Sequence, residues 1–389
     1  MNGFDLFAEK ASGRVPAAFV VARSIGFPAD DPARLDDVAL GSLHREGMAR
    51  HRRGESSPGR VTLLDVKLEL ARRLLAPCRL CALDCRVDRR SGPAGACGLG
   101  PGLARTMDFV HEGEEPEISP THAVLLSGCN YRCAYCSEWD HVAYPERDPV
   151  TPTEAIARSI EARRAAGVAS LSWIGGDPGV NLPGILEVLT RTRVSVPVVW
   201  NSNMHSTEPV RDLLEGVVDA YVADLKHGSD ACALTVARAP AHLETVVAAI
   251  ERARREAFTI VRHLVLPGHV ACCTLPVLET IARSFPSVRV NLMAQYRPNA
   301  NVRGTPLDRR PTAGELRDAR EAARRLGLRL EPAGSLRRAG KIEGADPGFA
   351  SGIDFASGIH IDPDGSVTFE NLSPDLAEIA RELGEGEQG

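Results

Sequence analysis

Cys129, Cys133 and Cys136 stand in a C-x3-C-x2-C run, Cys129-Asn130-Tyr131-Arg132-Cys133-Ala134-Tyr135-Cys136, directly after the apolar stretch Ala123-Val124-Leu125-Leu126. Three thiolates can hold three irons of a [4Fe–4S] cluster and leave the fourth iron open, whereas four would close the cluster for electron transfer or structure. An open iron can bind a substrate or cosubstrate, so the run reads as catalytic. Zinc also takes cysteines at short spacings but wants a fourth ligand, and no cysteine or histidine follows until His141.

Four further cysteines, Cys78-x2-Cys81-x3-Cys85-x11-Cys97, lie upstream in a loop containing Gly and Pro. Four thiolates within twenty residues make a complete, closed metal site. An auxiliary [4Fe–4S] cluster is the favoured occupant and zinc the alternative, since both accept four cysteines. Of the ten cysteines in the chain, Cys232, Cys272 and Cys273 remain outside the two groups.

From about residue 120, apolar β-like runs alternate with helical segments, which predicts an α/β fold with a parallel sheet. The expected strands are 123–127, 169–174, 196–201, 218–224, 259–266 and 288–294. A helix is expected after the first, with Pro152 in its first turn and a Thr151–Glu154 capping box. Upstream, the leucines of 63–75 recur at helical spacing. Downstream, Thr312 and Glu315 predict a capped helix running to Leu326 and stopped by Gly327. Ile359 to Phe369 reads as a hairpin turning at Pro363-Asp364-Gly365, and residues 384–389 as a disordered tail. The expected segments are a helical extension at 1–76, a cysteine-rich segment at 77–118, a barrel-like region at 119–300 and an α+β addition at 301–389.

The strand ends carry further polar groups. The second ends in Gly175-Gly176-Asp177, where glycines admit close backbone approach and the carboxylate can accept hydrogen bonds from an ammonium group. The third ends in Trp200-Asn201-Ser202-Asn203, whose amides offer a donor and an acceptor to a diol. The fourth ends in Asp224-Leu225-Lys226, and residues two apart on a strand face the same side. On the fifth, Arg262 and His263 interrupt an apolar run and are costly to bury without partners. For His263 a satisfied structural histidine is the other reading.

The cysteine run resembles the radical S-adenosylmethionine (SAM) superfamily, and the aromatic Tyr135 before the last cysteine strengthens the likeness. The resemblance implies a partial (β/α)6 barrel. It also implies SAM chelated at the open iron of a [4Fe–4S] cluster and cleaved reductively to a 5′-deoxyadenosyl radical that takes hydrogen from a C–H bond. Gly175-Gly176-Asp177 is similar to the superfamily's Gly-Gly-Glu motif for the SAM amino group, Asn201 and Asn203 to its ribose-contacting strand end, and Asp224-Leu225-Lys226 to an element of the pyruvate formate-lyase activating enzyme. The ordered motifs over 78–372, including His111-x-Gly113-Glu114-Glu115-Pro116, resemble the PflX-like relatives of that activase. Two reactions follow: activation of a glycyl-radical enzyme, or radical modification of a small molecule. The second is favoured, in the form of epimerisation of a sugar centre as in avilamycin-type oligosaccharide assembly. That reaction needs a thiol hydrogen donor, for which Cys232 departs from the family pattern and is preferred, with Cys272 and Cys273 in reserve. The alternative for all three is simple packing.

The chain has 389 residues and a formal net charge of −5, which gives no global attraction to nucleic acid. No apolar run reaches the roughly 18 residues a membrane span requires, and the N-terminus lacks a signal-peptide pattern. A cytosolic protein is expected, acting on a small molecule and drawing electrons from a flavodoxin or ferredoxin.

Overall fold

In the computed structural model, residues 3–91, 94–330 and two short strands at 359–361 and 367–369 are described. The N-terminal segment forms α1 (Gly3–Ala11), α2 (Ala18–Arg23), α3 (Asp37–Arg52) and α4 (Leu63–Arg73). A two-residue antiparallel ladder joins β1 (Gly26–Phe27) to β2 (Val61–Thr62). The sheet is built from β3 (Arg105–His111), β4 (Thr121–Leu126), β5 (Ser170–Gly175), β6 (Val198–Ser202), β7 (Ala220–Asp224), β8 (Phe258–Leu264), β9 (Arg289–Met293) and β10 (Arg329–Leu330). Their order is β10-β9-β8-β7-β6-β5-β4-β3. All neighbours are parallel except β3, which pairs antiparallel with β4.

The six predicted strands are therefore present as β4 to β9, side by side in chain order. The largely buried, mostly apolar character of β4 to β8 is what a parallel sheet covered by helices demands, while β9 is mostly half-buried. Two edge strands were not predicted: β3, whose residues are all half-buried, and the two-residue β10. Among the described residues the edges β3 and β10 are not paired with each other, so the sheet is open there, as in a partial barrel.

Short α5 (Trp139–Ala143) follows the cysteine loop. Then α6 (Thr153–Ala165), α7 (Leu182–Arg191), α8 (Glu208–Leu214), α9 (Asp230–Ala237) with α10 (His242–Glu256), and α11 (Leu275–Ser284) connect successive strands, and α12 (Ala313–Arg325) precedes β10. The α12 capping box between Thr312 and Glu315 forms as predicted, and Gly327 follows the helix at φ +66°. The one expected at α6 does not form, and Pro152 stands just outside the helix. Its two members are engaged elsewhere: Thr151 Oγ1 donates to Pro149 O at 3.4 Å and Glu154 pairs with Arg191 at 2.7 Å. Strands β11 (Ile359–Ile361) and β12 (Val367–Phe369) pair antiparallel. The predicted turn between them and the tail at 384–389 lie outside the described residues.

The helical extension shares the main core, with Leu63, Leu64, Val66 and Leu68 in one buried cluster with Leu182, Ile185, Leu186 and Leu189. Phe7 packs on Val199, Val222 and Ile260. Asp219, just before β7, accepts from Lys10 Nζ at 2.5 Å and from the backbone N–H of Ala18 and Val198 at 3.0 and 2.8 Å. Lys10 and Ala18 thus meet the chain just before β7, while α4 packs on α7 and α8 of the helix layer.

In α4, Lys67 is fully buried and donates to Asp212 O and Leu213 O at 3.3 and 3.2 Å. Burial lowers its pKa to about 7. Between that value and the ordinary lysine value the unfolded chain binds a proton the folded chain does not, so stability rises with pH over this window. The melting midpoint of the wild type is expected to rise between pH 7 and 9, and that of Lys67→Met to stay flat; equal slopes would contradict the assignment.

Candidate radical SAM site

The chain leaves β4 through Ser127 and Gly128 and enters the cysteine loop. Here Gly175 and Gly176, expected to admit a ligand, are occupied by the protein's own backbone. Gly176 N donates to Leu126 O at 2.6 Å and Asp177 N to Gly128 O at 2.9 Å. A Cβ on Gly176 would stand 1.9 Å from Gly128 O, and Gly175 has φ +106°. The glycines clamp the start of the cysteine loop against the end of β5. Gly176→Ala should cost about 1–3 kcal/mol by overpacking and shift the loop, read as lowered melting temperature and reduced iron uptake; unchanged iron uptake would show that the clamp is dispensable.

Cys129 and Cys133 are buried and Cys136 half-buried. Burial raises all three thiols, Cys136 to about 12, so holding them as thiolates requires a metal that displaces their protons. Cys129 Sγ accepts from Tyr131 N at 3.3 Å and from Asn203 Nδ2 at 3.6 Å, as a ligating thiolate would. His141, the next histidine in sequence, places Nδ1 2.9 Å from Asp148.

Asp177 is buried, and its carboxylate accepts from Ser202 Oγ at 2.8 Å, Asn203 N at 3.0 Å and Gly179 N at 2.8 Å. Burial raises its pKa to about 6 against these hydrogen bonds. The carboxylate thus ties the end of β5 to the turn after β6, a use the sequence did not suggest. Asn203 continues the chain of contacts: Nδ2 donates to Asn130 Oδ1 at 2.7 Å as well as to Cys129 Sγ, and Oδ1 accepts from His205 N at 2.9 Å. Asn201, half-buried, is in register with Val222 on β7.

Asp224 ends β7 and Lys226 lies just beyond the strand, and the two form an ion pair at 2.5 Å. Burial works against the Lys226 ammonium, but Asp224 and then Cys133 hold its pKa above the ordinary value. A cation thus lies beside the cysteine loop. Tyr135 is half-buried, with its ring 6.2 Å from His227 and 6.1 Å from Tyr296. Asn299 Nδ2 donates to Cys136 O at 2.9 Å, placing the segment after β9 against the loop.

His263 is placed as a satisfied core histidine, not as a cofactor ligand. Its ring nitrogens lie 2.9 Å from Leu225 O and 3.0 Å from Thr274 Oγ1, and burial lowers its pKa to about 4. Arg262 is likewise consumed, pairing with Glu114 and Glu115 of the His111–Pro116 motif. Burial lowers the guanidinium to about 10.

In the upstream group Cys78, Cys81 and Cys97 are buried and Cys85 is half-buried. Arg89, also buried, donates to Leu99 O, Val180 O and Gly100 O at 3.0, 2.8 and 2.7 Å and pins the segment. The segment touches the C-x3-C-x2-C loop directly: Arg132 Nη2 donates to Ala96 O at 2.6 Å and Nη1 to Cys129 O at 2.6 Å. Replacing Cys78, Cys81, Cys85 and Cys97 together should remove about four irons of about eight from reconstituted protein, measured by iron analysis. Loss of one zinc with iron unchanged would support the zinc alternative, and unchanged metal content would exclude both.

Cys232, Cys272 and Cys273, considered separately as hydrogen donors, come together with His269. Their ligand atoms all lie within 4.8 Å of one another. The sequence did not mark His269, because the spacing to Cys232 is long. A cavity of about 470 Å³ lined by Arg72, Arg73, Arg90 and Glu187 shares no residue with the cysteine loop.

The family model of the radical SAM superfamily matches residues 124–281. The uncharacterized protein MJ0674 of Methanocaldococcus jannaschii is 33% identical over 276 residues, spanning 69% of this chain and 80% of that one. The chain belongs to the radical SAM superfamily. Among solved structures, a spore photoproduct lyase mutant aligns over 75% of this chain and 94% of its own at 12% identity and a TM-score of 0.44. A radical SAM methyltransferase from Sphaerobacter thermophilus aligns over 78% and 94% at 15% identity and 0.41. SuiB of Streptococcus suis bound to S-adenosylmethionine aligns over 52% of this chain at 13% identity and 0.40, and the match spans 47% of SuiB.

Radical SAM proteins use a [4Fe–4S] cluster and SAM, and the three cysteines of the loop fit the cluster. Cys129, Cys133 and Cys136 supply a three-thiol set with an amide donor at one sulfur, and Lys226 offsets the negative charge thiolates would bring. Among the described residues no helix is long and apolar enough to cross a membrane.

Proposed function

We propose that this radical SAM enzyme acts on a C–H bond of a small molecule. When bound, the cluster and SAM supply a 5′-deoxyadenosyl radical that abstracts the hydrogen atom. The residues of this chain do the positioning. Asp177 fixes the turn carrying Asn203, Asn203 orients toward Cys129, and Lys226 holds positive charge beside the loop. The observation that carries the small-molecule reading is the cover over the cysteine loop. Tyr296, Val302 and Leu307 pack in one cluster with Ala134 and Tyr135 of the loop, Asn299 Nδ2 donates to Cys136 O at 2.9 Å, and the upstream cysteine segment lies against Arg132. Such cover favours a compact substrate over a glycine loop of a partner protein. The upstream cysteines would serve as the entry for electrons from a flavodoxin or ferredoxin.

The finer activity we propose is inversion of a sugar carbon in an oligosaccharide, resting on the sequence resemblance. The test separates the classes. With reduced protein and SAM, a dialysable extract of the source cells should raise 5′-deoxyadenosine turnover. Stimulation by the macromolecular fraction alone, with a glycine radical on a partner, would establish the activase instead. Product formed in deuterated water should carry one deuterium at the inverted carbon, and product with none would exclude an exchangeable donor.

A further inference from the structure

Cys232 lies in the first turn of α9, its N–H donating to Ser229 Oγ at 3.2 Å. Cys272 and Cys273 lie in a single π-helical turn, Val270–Thr274, between β8 and α11. His269 starts that turn, its carbonyl accepting from Cys273 N at 2.9 Å and Thr274 N at 3.2 Å. The wider π turn is a rare feature found at functional sites. Gly228 lets the two loops meet, since a Cβ there would stand 2.5 Å from Cys273 O.

The meeting brings four ligand atoms into one group. Cys272 Sγ is 3.4 Å from His269 Nδ1, and all four atoms lie within 4.8 Å of one another. Around the group, Cys273 Sγ is 3.9 Å from His227 Nδ1. A disulfide would use two of the three sulfurs and leave the third and the imidazole without a role. A free donor thiol needs neither companion. Tetrahedral Zn–S bonds of about 2.3 Å set neighbouring sulfurs about 3.8 Å apart, compatible with this group. A four-iron cluster binds each thiolate to a separate iron and needs the sulfurs further apart.

We propose that Cys232, His269, Cys272 and Cys273 form a mononuclear zinc site that ties the loop after β7 to the turn after β8. Three thiols release their protons to solvent as the metal binds, with no change of oxidation state. Four protein ligands close the coordination sphere, which makes the site structural. It steadies the segment carrying Lys226 and His227 beside Tyr135. With metal bound none of the three sulfurs carries S–H, so hydrogen returned to a substrate radical would come from another group. The site stands independently of the proposed substrate, because its readouts do not involve turnover.

The test uses the full chain, purified anaerobically from zinc-supplemented cells and separately reconstituted with iron and sulfide. About one zinc per chain is expected beside the iron, and Cys272→Ser or His269→Ala should lower zinc affinity at least tenfold with iron unchanged. Should a variant fold poorly, alkylation of the wild type decides: Cys232, Cys272 and Cys273 should resist iodoacetamide with zinc bound and react after chelation. Exposed Cys272 reacting equally in both conditions, or no stoichiometric zinc in the wild type, would overturn the proposal. So would the loss of about four irons in Cys272→Ser, which would mean an iron–sulfur cluster.

Discussion

The protein in which Cys129, Cys133 and Cys136 are all replaced by Ala is expected to lose about four irons per chain and to form no 5′-deoxyadenosine above background. The three sulfurs sit on one loop, two of them buried. Asn203 offers Cys129 a donor through Nδ2 and so does not replace a lost ligand. The upstream group supplies an internal control. Retention of its metal would show that the variant is folded and that the loss is local. An unchanged rate of SAM cleavage would place the catalytic cluster elsewhere.

Asp177→Ala has the next largest expected effect. The substitution leaves the Ser202 hydroxyl and the N–H groups of Asn203 and Gly179 without their acceptor in a buried place. Each such loss costs about 1–3 kcal/mol. A melting midpoint lowered by several degrees and 5′-deoxyadenosine formation lowered at least about a hundredfold are expected, since about 2.7 kcal/mol in the barrier corresponds to that factor. Asp177→Asn keeps the shape but turns an N–H₂ toward one of the three donors, so it should lie between the two. If Asp177 acted only as a ligand for the SAM ammonium, the variant would bind SAM weakly yet keep its melting midpoint. That combination would refute the positioning role.

The strand framework is legible because β4 to β8 are largely buried on both faces and so carry mostly apolar runs, whereas β9 is mostly half-buried. The antiparallel β3 is hidden because its half-buried residues, Arg105 and Asp108 among them, mix polar and apolar types. The C-x3-C-x2-C cysteines and the Asp224–Lys226 pair can be read from spacing alone, since the members of each set lie within a few residues of one another in the chain. Asp177 is legible as part of the site, but its hydrogen bonds to residues 25 and 26 positions away are not. The same limit hid the partnership of Cys232 with His269, Cys272 and Cys273, which depends on two loops docking through Gly228. His263 looks chemically active in sequence because nothing there shows that Leu225 O and Thr274 Oγ1 take both its nitrogens.

The central claim is that this chain cleaves SAM reductively at the Cys129–Cys136 loop. The most direct measurement is anaerobic incubation of the reconstituted wild-type chain with SAM and dithionite, with 5′-deoxyadenosine and methionine quantified against time and the triple alanine variant run alongside. The account predicts equal amounts of the two products from the wild type and neither from the variant. Intact SAM after incubation with a fully loaded, reduced wild-type protein, or cleavage by the variant at the wild-type rate, would contradict it.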